Sequence, residues 1–400
     1  MGQEVVEALR SLPVVVVSGL RQSGKTTLLR SDPQLRGRRF LTFDDLETLE
    51  RARHAPGALL EGDEPLTIDE AQLCPELFPA LKHAVDRRRR NGQFLLSGSA
   101  NFLLLRSIAE SLAGRATYLA LHPLTHRERH NGIKRVPFLV TLFELGKLPR
   151  TREFEPVRDS DVLSGGLPPA ALGLAADTRR WFEGYERTYL ERDVRALTQV
   201  ADLISFRRVL KLAALRTAQM SNASAISNEA KVPASTVARY LDLLETSLVT
   251  ATLAPFLSSK KSRLVKTPKL YLSDSGLAAH MCQVGDISSS ANERMRGALY
   301  ETYVFQNLRA IVERHLRQAE LGFWNVQGRH EVDFVVATRK GVLAIEVKAS
   351  SKWSPEDLSG LRAFADGRND VRALVLATQG REAYALAPGV FVVPLGLLLS

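Results

Sequence analysis

The chain has 400 residues, more than one hydrophobic core normally organises, so we expect two to four domains. Its net charge of +10 favours a polyanionic partner such as nucleic acid, with an arginine-rich genome composition as the competing explanation. Two distant cysteines indicate neither a disulfide framework nor a zinc site, and no apolar run reaches the ~20 residues that span a bilayer. We therefore expect a cytoplasmic protein without a membrane partner.

The first informative segment is a glycine-rich loop between a short apolar strand, residues 13–18, and a helix. Its spacing is G-x4-G-K-T over residues 19–26. Backbone N–H groups of such a loop surround a phosphate, the lysine reaches the β- and γ-phosphates, and the threonine hydroxyl contacts Mg²⁺. The loop predicts binding of a nucleoside triphosphate, with ATP as the expected ligand. The predicted nucleotide-binding residues here are Gly19, Arg21, Gln22, Ser23, Gly24, Lys25, Thr26 and Thr27.

Short strands alternate with helices up to about residue 125. Strand patterns occur at residues 39–43, 66–68 and 93–96, and a helix is predicted over 73–85. This order is typical of a parallel sheet with crossover helices. The predicted fold class is α/β.

Asp69 and Glu70 end the apolar strand at 66–68. In P-loop NTPases an aspartate at this place holds Mg²⁺, and the adjacent glutamate orients and polarises the attacking water. The spacing from the phosphate loop allows the two strands to be neighbours, which favours this interpretation over an ordinary strand end with solvated acids.

Three more residues are candidates for the same site. Ser97 and Ser99, at the end of the next strand, are placed to hydrogen-bond the γ-phosphate or the attacking water, although an ordinary turn explains them equally well. Arg115 offers a cation to the transferring phosphoryl group, within the chain or from a neighbouring subunit. A surface salt bridge is the equal alternative for Arg115, and homo-oligomerisation stays open.

Residues 225–253 predict two helices separated by Pro233, followed by a strand, and a basic loop precedes a further strand at 269–272. This order is typical of a winged helix, which lays its second helix in the major groove of DNA. A protein-packing module is the alternative. The candidate DNA contacts are Ser235, Thr236 and Arg239 on the second helix, and Lys260, Lys261 and Arg263 in the basic loop.

A hairpin near the C-terminus combines acids with a lysine. Alternation places Glu331 and Asp333 on one face of the first strand, and Glu346 and Lys348 on one face of the second. If these faces coincide, the carboxylates suit Mg²⁺ or Mn²⁺, and metal-bound water near a lysine suits phosphodiester hydrolysis. Glu301, on the preceding long helix, is a candidate further ligand. A solvated hairpin with cross-strand ion pairs is the alternative, which the apolar strands disfavour.

The predicted domains are an ATPase core at 1–125, a helical lid or connector at 126–200, a winged helix at 201–285 and a nuclease-like domain at 293–400. Residues 286–292 are polar and predict a linker. The apolar stretch at 390–399 predicts a buried last strand.

Taken together, these motifs resemble a bacterial and archaeal fusion family. Its members join an archaeal-ATPase-like AAA-type P-loop ATPase to a winged helix and a restriction-endonuclease-like domain of the PD-(D/E)xK kind. The resemblance covers nearly the whole chain and rests on residues 19–26, 68–72, 96–99, 114–115, 123–124, 165–168, 189–193, 269–277 and 331–348. It implies ATP and Mg²⁺ binding at Lys25, Thr26 and Asp69, and general-base work by Glu70. It also implies nuclease-type roles for Glu301, Asp333, Glu346 and Lys348.

We therefore expect a DNA-directed ATPase with a C-terminal, metal-dependent nuclease-like domain. The alternative is an ATP-switched regulator that binds DNA or protein and does not cleave. A kinase-like phosphotransferase is a third possibility, which the Asp69–Glu70 pair disfavours. The DNA structure recognised and the preference for ATP over other triphosphates stay open.

Overall fold

The computed structural model of the protein describes residues 1–99, 112–150, 152–189, 202–257, 267–289, 292–326 and 329–400. These residues form two compact units. The first comprises Met1–His122 with Asp242–Val249 and the described residues of Arg187–Leu203. The second comprises Pro123–Glu186, Ile204–Leu241 and the described residues of Thr250–Ser400. The four predicted domain boundaries stay predictions.

The first unit is built on a fully parallel five-stranded sheet with the order β2-β3-β4-β1-β5. Its strands are β1 Val14–Gly19, β2 Arg39–Thr42, β3 Leu66–Asp69, β4 Phe94–Ser99 and β5 Ala116–Leu121. Its helices are α1 Gly2–Ser11, α2 Lys25–Ser31, α3 Leu46–His54, α4 Pro56–Leu59 and α5 Leu77–Arg87. The α/β fold class and the strands predicted in this region are confirmed.

Strand β1, in the interior of the sheet, shows why the sheet needs helices on both faces. Val14 and Val16 pack into one core, and Val15 and Val17 pack into another on the opposite face. A strand buried on both faces is continuously apolar rather than alternating, as in parallel sheets covered by helices.

The expectation that the phosphate-loop strand and the Asp69 strand are neighbours is wrong. Strand β4 lies between β1 and β3 and pairs with both, so that Leu96 is in register with Val16 and with Ile68. All three strands are short, apolar and buried, so their sequences fit either order, and only tertiary packing selects one. The carboxyl ends still meet at one edge of the sheet, because the strands are parallel.

The remaining α-helices of the described residues follow in chain order. They are α6 His126–Arg129, α7 Phe138–Leu145, α8 Asp159–Ser164, α9 Pro168–Ala171, α10 Thr178–Thr188, α11 Leu203–Leu215, α12 Ala223–Ala230, α13 Ala234–Thr246, α14 Ser275–Met281, α15 Glu293–His315, α16 Ser359–Ala365 and α17 Leu395–Leu398. No helix within the described ranges is long and apolar enough to cross a membrane.

The second unit contains two sheets. The smaller has the order β6-β8-β7, with antiparallel pairs formed by β6 Gln219–Met220, β7 Thr250–Leu253 and β8 Lys269–Leu272. The larger has the order β13-β14-β12-β11-β10-β9. Its strands are β9 Glu320–Val326, β10 His330–Thr338, β11 Gly341–Val347, β12 Val371–Thr378, β13 Tyr384–Ala387 and β14 Val390–Pro394.

The predicted hairpin is present as the antiparallel pair β10–β11, and neither strand is at an edge of this larger sheet. Strands β11, β12 and β14 are parallel, and α16 packs over β10 and β11. The predicted last strand is only partly correct. Strand β14 ends at Pro394, and the apolar residues after it form the short helix α17. A proline at the N-cap favours this change, since it cannot continue the hydrogen-bonded ladder.

Candidate functional site

The phosphate loop has the backbone that its glycines require. Gly24 has φ +94°, in the left-handed region that disfavours side chains. At Gly19 an added Cβ would lie 2.6 Å from the carbonyl oxygen of Leu121, which excludes any larger residue without movement. Gln22 also has a positive φ, of 60°, although it is not a glycine. Non-glycine residues in this conformation are uncommon and are found in turns and at functional sites.

The ammonium group of Lys25 lies inside this loop. Its Nζ donates hydrogen bonds to the carbonyl oxygens of Gly19, at 3.1 Å, and Leu20, at 2.8 Å. Lys25 is 95% buried by residue area, since only 5% is exposed. A buried cation that lies against backbone carbonyl groups inside a phosphate loop is well placed to meet an incoming phosphate.

Asp69 is held from two sides by neutral hydroxyl groups. Thr26 Oγ1 donates to Asp69 Oδ2 at 2.6 Å, and Ser97 Oγ donates to Asp69 Oδ1. The predicted metal-holding pair, Thr26 and Asp69, is thus brought together although β1 and β3 are not neighbours. Hydroxyl and carboxylate oxygens are ligands that Mg²⁺ prefers.

Glu70 follows Asp69 with a left-handed backbone, φ +55°. Gln72 Nε2 donates to Glu70 Oε2 and also lies 3.2 Å from Ser99 Oγ. Burial raises the pKa of Glu70, and the hydrogen bond from Gln72 opposes that rise. A carboxylate with a raised pKa is a better proton acceptor. Gln72 is a functional candidate that our reasoning from the sequence did not single out, and its position two residues after the glutamate was the available signal.

The loop also contains an unsatisfied polar atom that fits a nucleotide. Ser23 Oγ is buried and has no hydrogen-bond partner. Buried hydroxyls are normally paired, so an unpaired one inside a phosphate loop fits a ligand oxygen. The residues present therefore fit a triphosphate with Mg²⁺. Arg21, Gln22 and Thr27 lie on the same loop and the first turn of α2, and their roles stay predictions.

Arg115 does not reach this edge of the sheet. It directly precedes β5, which runs parallel to β1 with Val14 opposite Ala116. It therefore lies at the amino end of the strands, roughly 20 Å from the phosphate loop at about 3.3 Å per residue. Its guanidinium pairs with Asp86, at 2.6 Å from Nε and 2.9 Å from Nη2. The predicted role of Arg115 within its own chain is wrong, and a role in a neighbouring subunit stays a prediction.

A second charged site lies in the second unit, around Lys269 at the start of β8. Lys269 Nζ is 2.9 Å from Glu301 Oε1 and 3.4 Å from Asp333 Oδ1, and it also pairs with Glu331. The Lys269 side chain is only 3% exposed. Our sequence analysis placed this lysine at the start of a strand that follows a basic loop, and the structure buries it among acids. Its contacts lie 32 and 64 residues away in sequence, so no local pattern revealed them.

The predicted ammonium, Lys348, has different partners. Its Nζ is 3.3 Å from Glu346 Oε1 and 3.2 Å from Asp357 Oδ1. Asp333 Oδ2 accepts a hydrogen bond from the backbone N–H of Val347 at 2.9 Å, which anchors the carboxylate beside β11. Glu346 Oε2 is buried without a hydrogen-bond partner.

The carboxylates of this site repel one another. Burial and then the nearby Asp333 raise the pKa of Glu301 to about 7, despite the attraction of Lys269. Burial and Asp333 also raise the pKa of Glu346 well above its usual value, and Lys348 opposes that rise. Burial alone would lower the pKa of Lys269, but Glu301, Asp333 and Glu331 outweigh burial and raise that pKa.

The carboxylate oxygens of the predicted ligands Glu301, Asp333 and Glu346 do not lie close enough together to bind one metal ion. Within the described ranges, one group of three potential ligands has its atoms within 4.8 Å of one another, and it is His126, His130 and Asp161. The three acids are therefore further apart than ligands of one ion. The repulsion between them and the unpaired oxygen of Glu346 nevertheless fit a divalent cation that carboxylates share with water and phosphate.

The predicted DNA-binding elements are present as α12, α13 and the antiparallel pair β7–β8. Ser235 and Arg239 are exposed on α13, and Thr236 is half-buried. Lys260, Lys261 and Arg263 lie outside the described residues. The winged-helix assignment stays a prediction.

Comparisons with known proteins agree with the first site. The chain matches the family model described as AAA domain over residues 11–130, and two domains of unknown function, DUF8612 over 159–288 and DUF4143 over 296–398. Together with the phosphate loop and Asp69, the first match defines an AAA-type P-loop ATPase domain.

The whole chain also has relatives. It is 30% identical to the uncharacterized protein Rv2008c of Mycobacterium tuberculosis (strain ATCC 25618 / H37Rv), over 98% of this chain and 82% of that protein. The same values hold for the uncharacterized protein Mb2031c of Mycobacterium bovis (strain ATCC BAA-935 / AF2122/97). This chain belongs to the family of these two mycobacterial proteins.

Solved structures give more remote likenesses. The walker-type ATPase PABY2304 of Pyrococcus abyssi has 17% identity and a TM-score of 0.42, over 70% of this chain and 94% of that chain. The RuvB Holliday junction branch migration motor of Thermotoga maritima has 19% identity and a TM-score of 0.30, over 65% and 91%. Both likenesses are too remote to indicate what this chain acts on.

Proposed function

We propose that the first unit hydrolyses ATP with Mg²⁺. We further propose that this hydrolysis drives an activity on DNA, either as a source of energy or as a conformational switch. The observation that carries the hydrolysis is the 2.6 Å hydrogen bond between Thr26 and Asp69, beside Glu70. It joins the end of β3 to the start of α2 at the phosphate loop. Bound Mg²⁺ would neutralise charge on the β- and γ-phosphates.

The residues of the chain then have separate tasks. Lys25 exchanges its two backbone carbonyl partners for phosphate oxygens. Thr26 and Asp69 would hold the metal ion, since their oxygens already lie together at the phosphate loop. Glu70, whose pKa is raised by burial, accepts the proton of the attacking water, and Gln72 keeps its carboxylate in place.

The test is the variant Glu70→Gln, with Glu64→Gln as the matched control, since Glu64 is an exposed acid of the same unit. We expect Glu70→Gln to lower kcat for phosphate release by about 10²–10⁴-fold, the usual contribution of a general base. ATP binding should be retained, since Glu70 does not hold the phosphates. Wild-type protein that releases no phosphate, or Glu70→Gln that equals the control, would contradict hydrolysis at this site.

We further propose that the second charged site cleaves phosphodiester bonds in DNA. This part rests on Asp333 and Glu346. Burial and then the charge of Asp333 raise the pKa of Glu346, and Lys348 Nζ lies 3.3 Å from Glu346 Oε1. A bound divalent ion would polarise the phosphate and supply the nucleophilic water. Asp333 and Glu346 offer the oxygens, and the Lys348 ammonium stabilises negative charge on the phosphate.

DNA as the partner is supported by the net charge of +10 and by the exposed Arg239 on the second helix of the predicted winged helix. Protein packing is the other use of such a helix pair. A regulator that binds DNA and switches with ATP, without cleavage, is the alternative function.

Cleavage is tested with single-stranded, double-stranded and branched DNA in the presence of ATP and Mg²⁺ or Mn²⁺. We expect strand scission by the wild type and none by Asp333→Asn, because the variant removes a charged oxygen ligand. Asp366→Asn, an exposed acid of the same region, should cleave like the wild type. Scission that survives Asp333→Asn, or an absence of scission alongside DNA affinity that changes between ATP and ADP, would overturn the nuclease and favour the regulator.

A further inference from the structure

Lys269 occupies the middle of a carboxylate cluster contributed by separate elements. Glu301 comes from α15, Glu331 and Asp333 come from β10, and the lysine itself comes from the first residue of β8. The distances from Nζ are 2.9 Å to Glu301 and 3.4 Å to Asp333, and Glu331 lies closer still. The ammonium group donates hydrogen bonds to Glu301 and Asp333 and forms an ion pair with Glu331.

The spacing of these acids suits an ammonium group rather than a metal ion. Glu301 and Asp333 lie 2.9 and 3.4 Å from the ammonium nitrogen, further out than the 2.0–2.6 Å of Mg²⁺ or Ca²⁺ ligands. The ammonium group thus occupies the space between Glu301 and Asp333 where a shared metal ion would lie.

The lysine is fixed in this position by its strand. The backbone of Lys269 is in register with Leu253 on β7 and Met220 on β6. Two residues on, the Tyr271 hydroxyl donates to Glu301 Oε1 at 2.6 Å, and its ring stacks on Phe305 with centroids 4.1 Å apart. The same strand thus delivers the cation and orients one of the carboxylates that bind it.

We propose that Lys269 is the resident cation of the carboxylate site, and that Mg²⁺ or Mn²⁺ enters the site only in competition with its ammonium group. This inference rests on the proposed nuclease-like site, and it identifies the Lys269 ammonium group as what limits metal-ion binding there. Lys348 does not take this place, because its ammonium group is held by Glu346 and Asp357.

Removal of the Lys269 ammonium group should make the carboxylate site accessible to metal ions. In Lys269→Met the three acids lose their counter-ion but keep their positions on α15 and β10. If the wild-type site is free of the lysine for 1–10% of the time, its removal tightens Mn²⁺ binding by about 10–100-fold. The uncompensated acids should also lower the melting temperature in chelator, and Mn²⁺ should restore it.

The experiment titrates full-length protein with Mn²⁺ in the absence of nucleotide, by electron paramagnetic resonance of the free ion, and records melting temperatures in chelator and in Mn²⁺. The variants are Lys269→Met, Lys269→Met with Asp333→Asn, and the control Lys340→Met at the exposed β10–β11 turn. We expect tighter Mn²⁺ binding and metal-dependent rescue in Lys269→Met alone. Affinity equal to that of the wild type, or a gain that persists with Asp333→Asn, would overturn the proposal.

If Lys269→Met folds in neither buffer, Lys269→Gln is titrated and judged by the same criterion. The result is independent of DNA cleavage. A gain in Mn²⁺ affinity without DNA scission by any variant would contradict the proposed nuclease activity and would support Lys269 as the resident cation. DNA scission by the wild type without a gain in Mn²⁺ affinity in Lys269→Met would contradict only the proposal that Lys269 is the resident cation.

Discussion

The two charged sites of this protein hold their acids in opposite ways. In the first unit, Asp69 is held by the neutral hydroxyls of Thr26 and Ser97, and the nearby Lys25 is bound by backbone carbonyls. In the second unit, Glu301 and Asp333 are held by a buried lysine. The first arrangement leaves the charge of Asp69 available to a cation, whereas the second already contains one.

This difference has a physical consequence. A hydroxyl that donates to a carboxylate can turn its oxygen toward a metal ion without leaving a charge unpaired. An ammonium group cannot do so, because its departure exposes buried charge unless another cation arrives at once. We therefore expect the first site to accept Mg²⁺ with the nucleotide, and the second to exchange one cation for another.

The largest effect that would sharpen this comparison concerns Gln72. Gln72→Ala removes the donor to Glu70, so we expect kcat for ATP hydrolysis to fall by about 10–100-fold, as for other residues that orient functional groups. KM should change little. The hydrogen bond lowers the pKa of Glu70, so its loss should move the acidic limb of the kcat–pH profile to higher pH.

The matched control is Gln34→Ala, an exposed glutamine of the same unit. A Gln72→Ala enzyme with normal kcat, or with lowered kcat and an unmoved acidic limb, would show that Gln72 does not position Glu70.

A smaller effect concerns the acids around Lys269. The pKa of Glu301 is raised from 4.5 to about 7 by burial and by Asp333. Between these values the folded protein holds a proton that the unfolded chain releases, so the free energy of unfolding falls as pH rises from 4.5 to 7. Glu301→Gln removes this titration, so the free energy of unfolding of the variant should fall by about 1–3 kcal/mol less than that of the wild type over this pH range.

Denaturant unfolding at several pH values measures this effect. The quantity compared is the slope of the free energy of unfolding against pH, not the absolute stability. Glu293→Gln, an exposed acid on the same helix, is the control and should keep the wild-type slope. The same slope in Glu301→Gln and in the wild type would mean that the Lys269 ammonium fully compensates the buried acid.

The smallest effect concerns the predicted DNA-binding helix. Arg239→Ala should weaken DNA binding by a modest factor for all sequences, and the slope of log K against log salt should become shallower by about one, as for a single phosphate contact. Lys352→Ala, an exposed lysine elsewhere in the second unit, is the control. Unchanged affinity and slope in Arg239→Ala would favour a protein-packing role for α13.

Much of the first site was predictable because it is encoded locally. The phosphate loop and the Asp69–Glu70 pair are each a few consecutive residues whose chemistry depends on their own spacing. The order of the strands was not predictable, since β1, β3 and β4 are all apolar and buried. The position of Arg115 followed from the direction of β5, a strand that we did not identify from the sequence.

The second site was predictable only in part. Alternation placed Glu331 and Asp333 on one face correctly, and both contact the same ammonium group. The identity of that ammonium was not predictable from local pattern. Lys269 lies next to a basic segment, and its burial depends on contacts with α15 and β10, which only the tertiary fold creates.

The most direct measurement is the binding of Mn²⁺ to the wild-type protein, at Mn²⁺ equal to the protein concentration, with and without a non-hydrolysable ATP analogue. The account predicts tight Mn²⁺ binding only with the analogue, lost in Asp69→Asn and kept in Asp333→Asn. Tight binding without the analogue that survives Asp69→Asn and is lost in Asp333→Asn would contradict it, because the carboxylate site would then be open to metal while Lys269 is present.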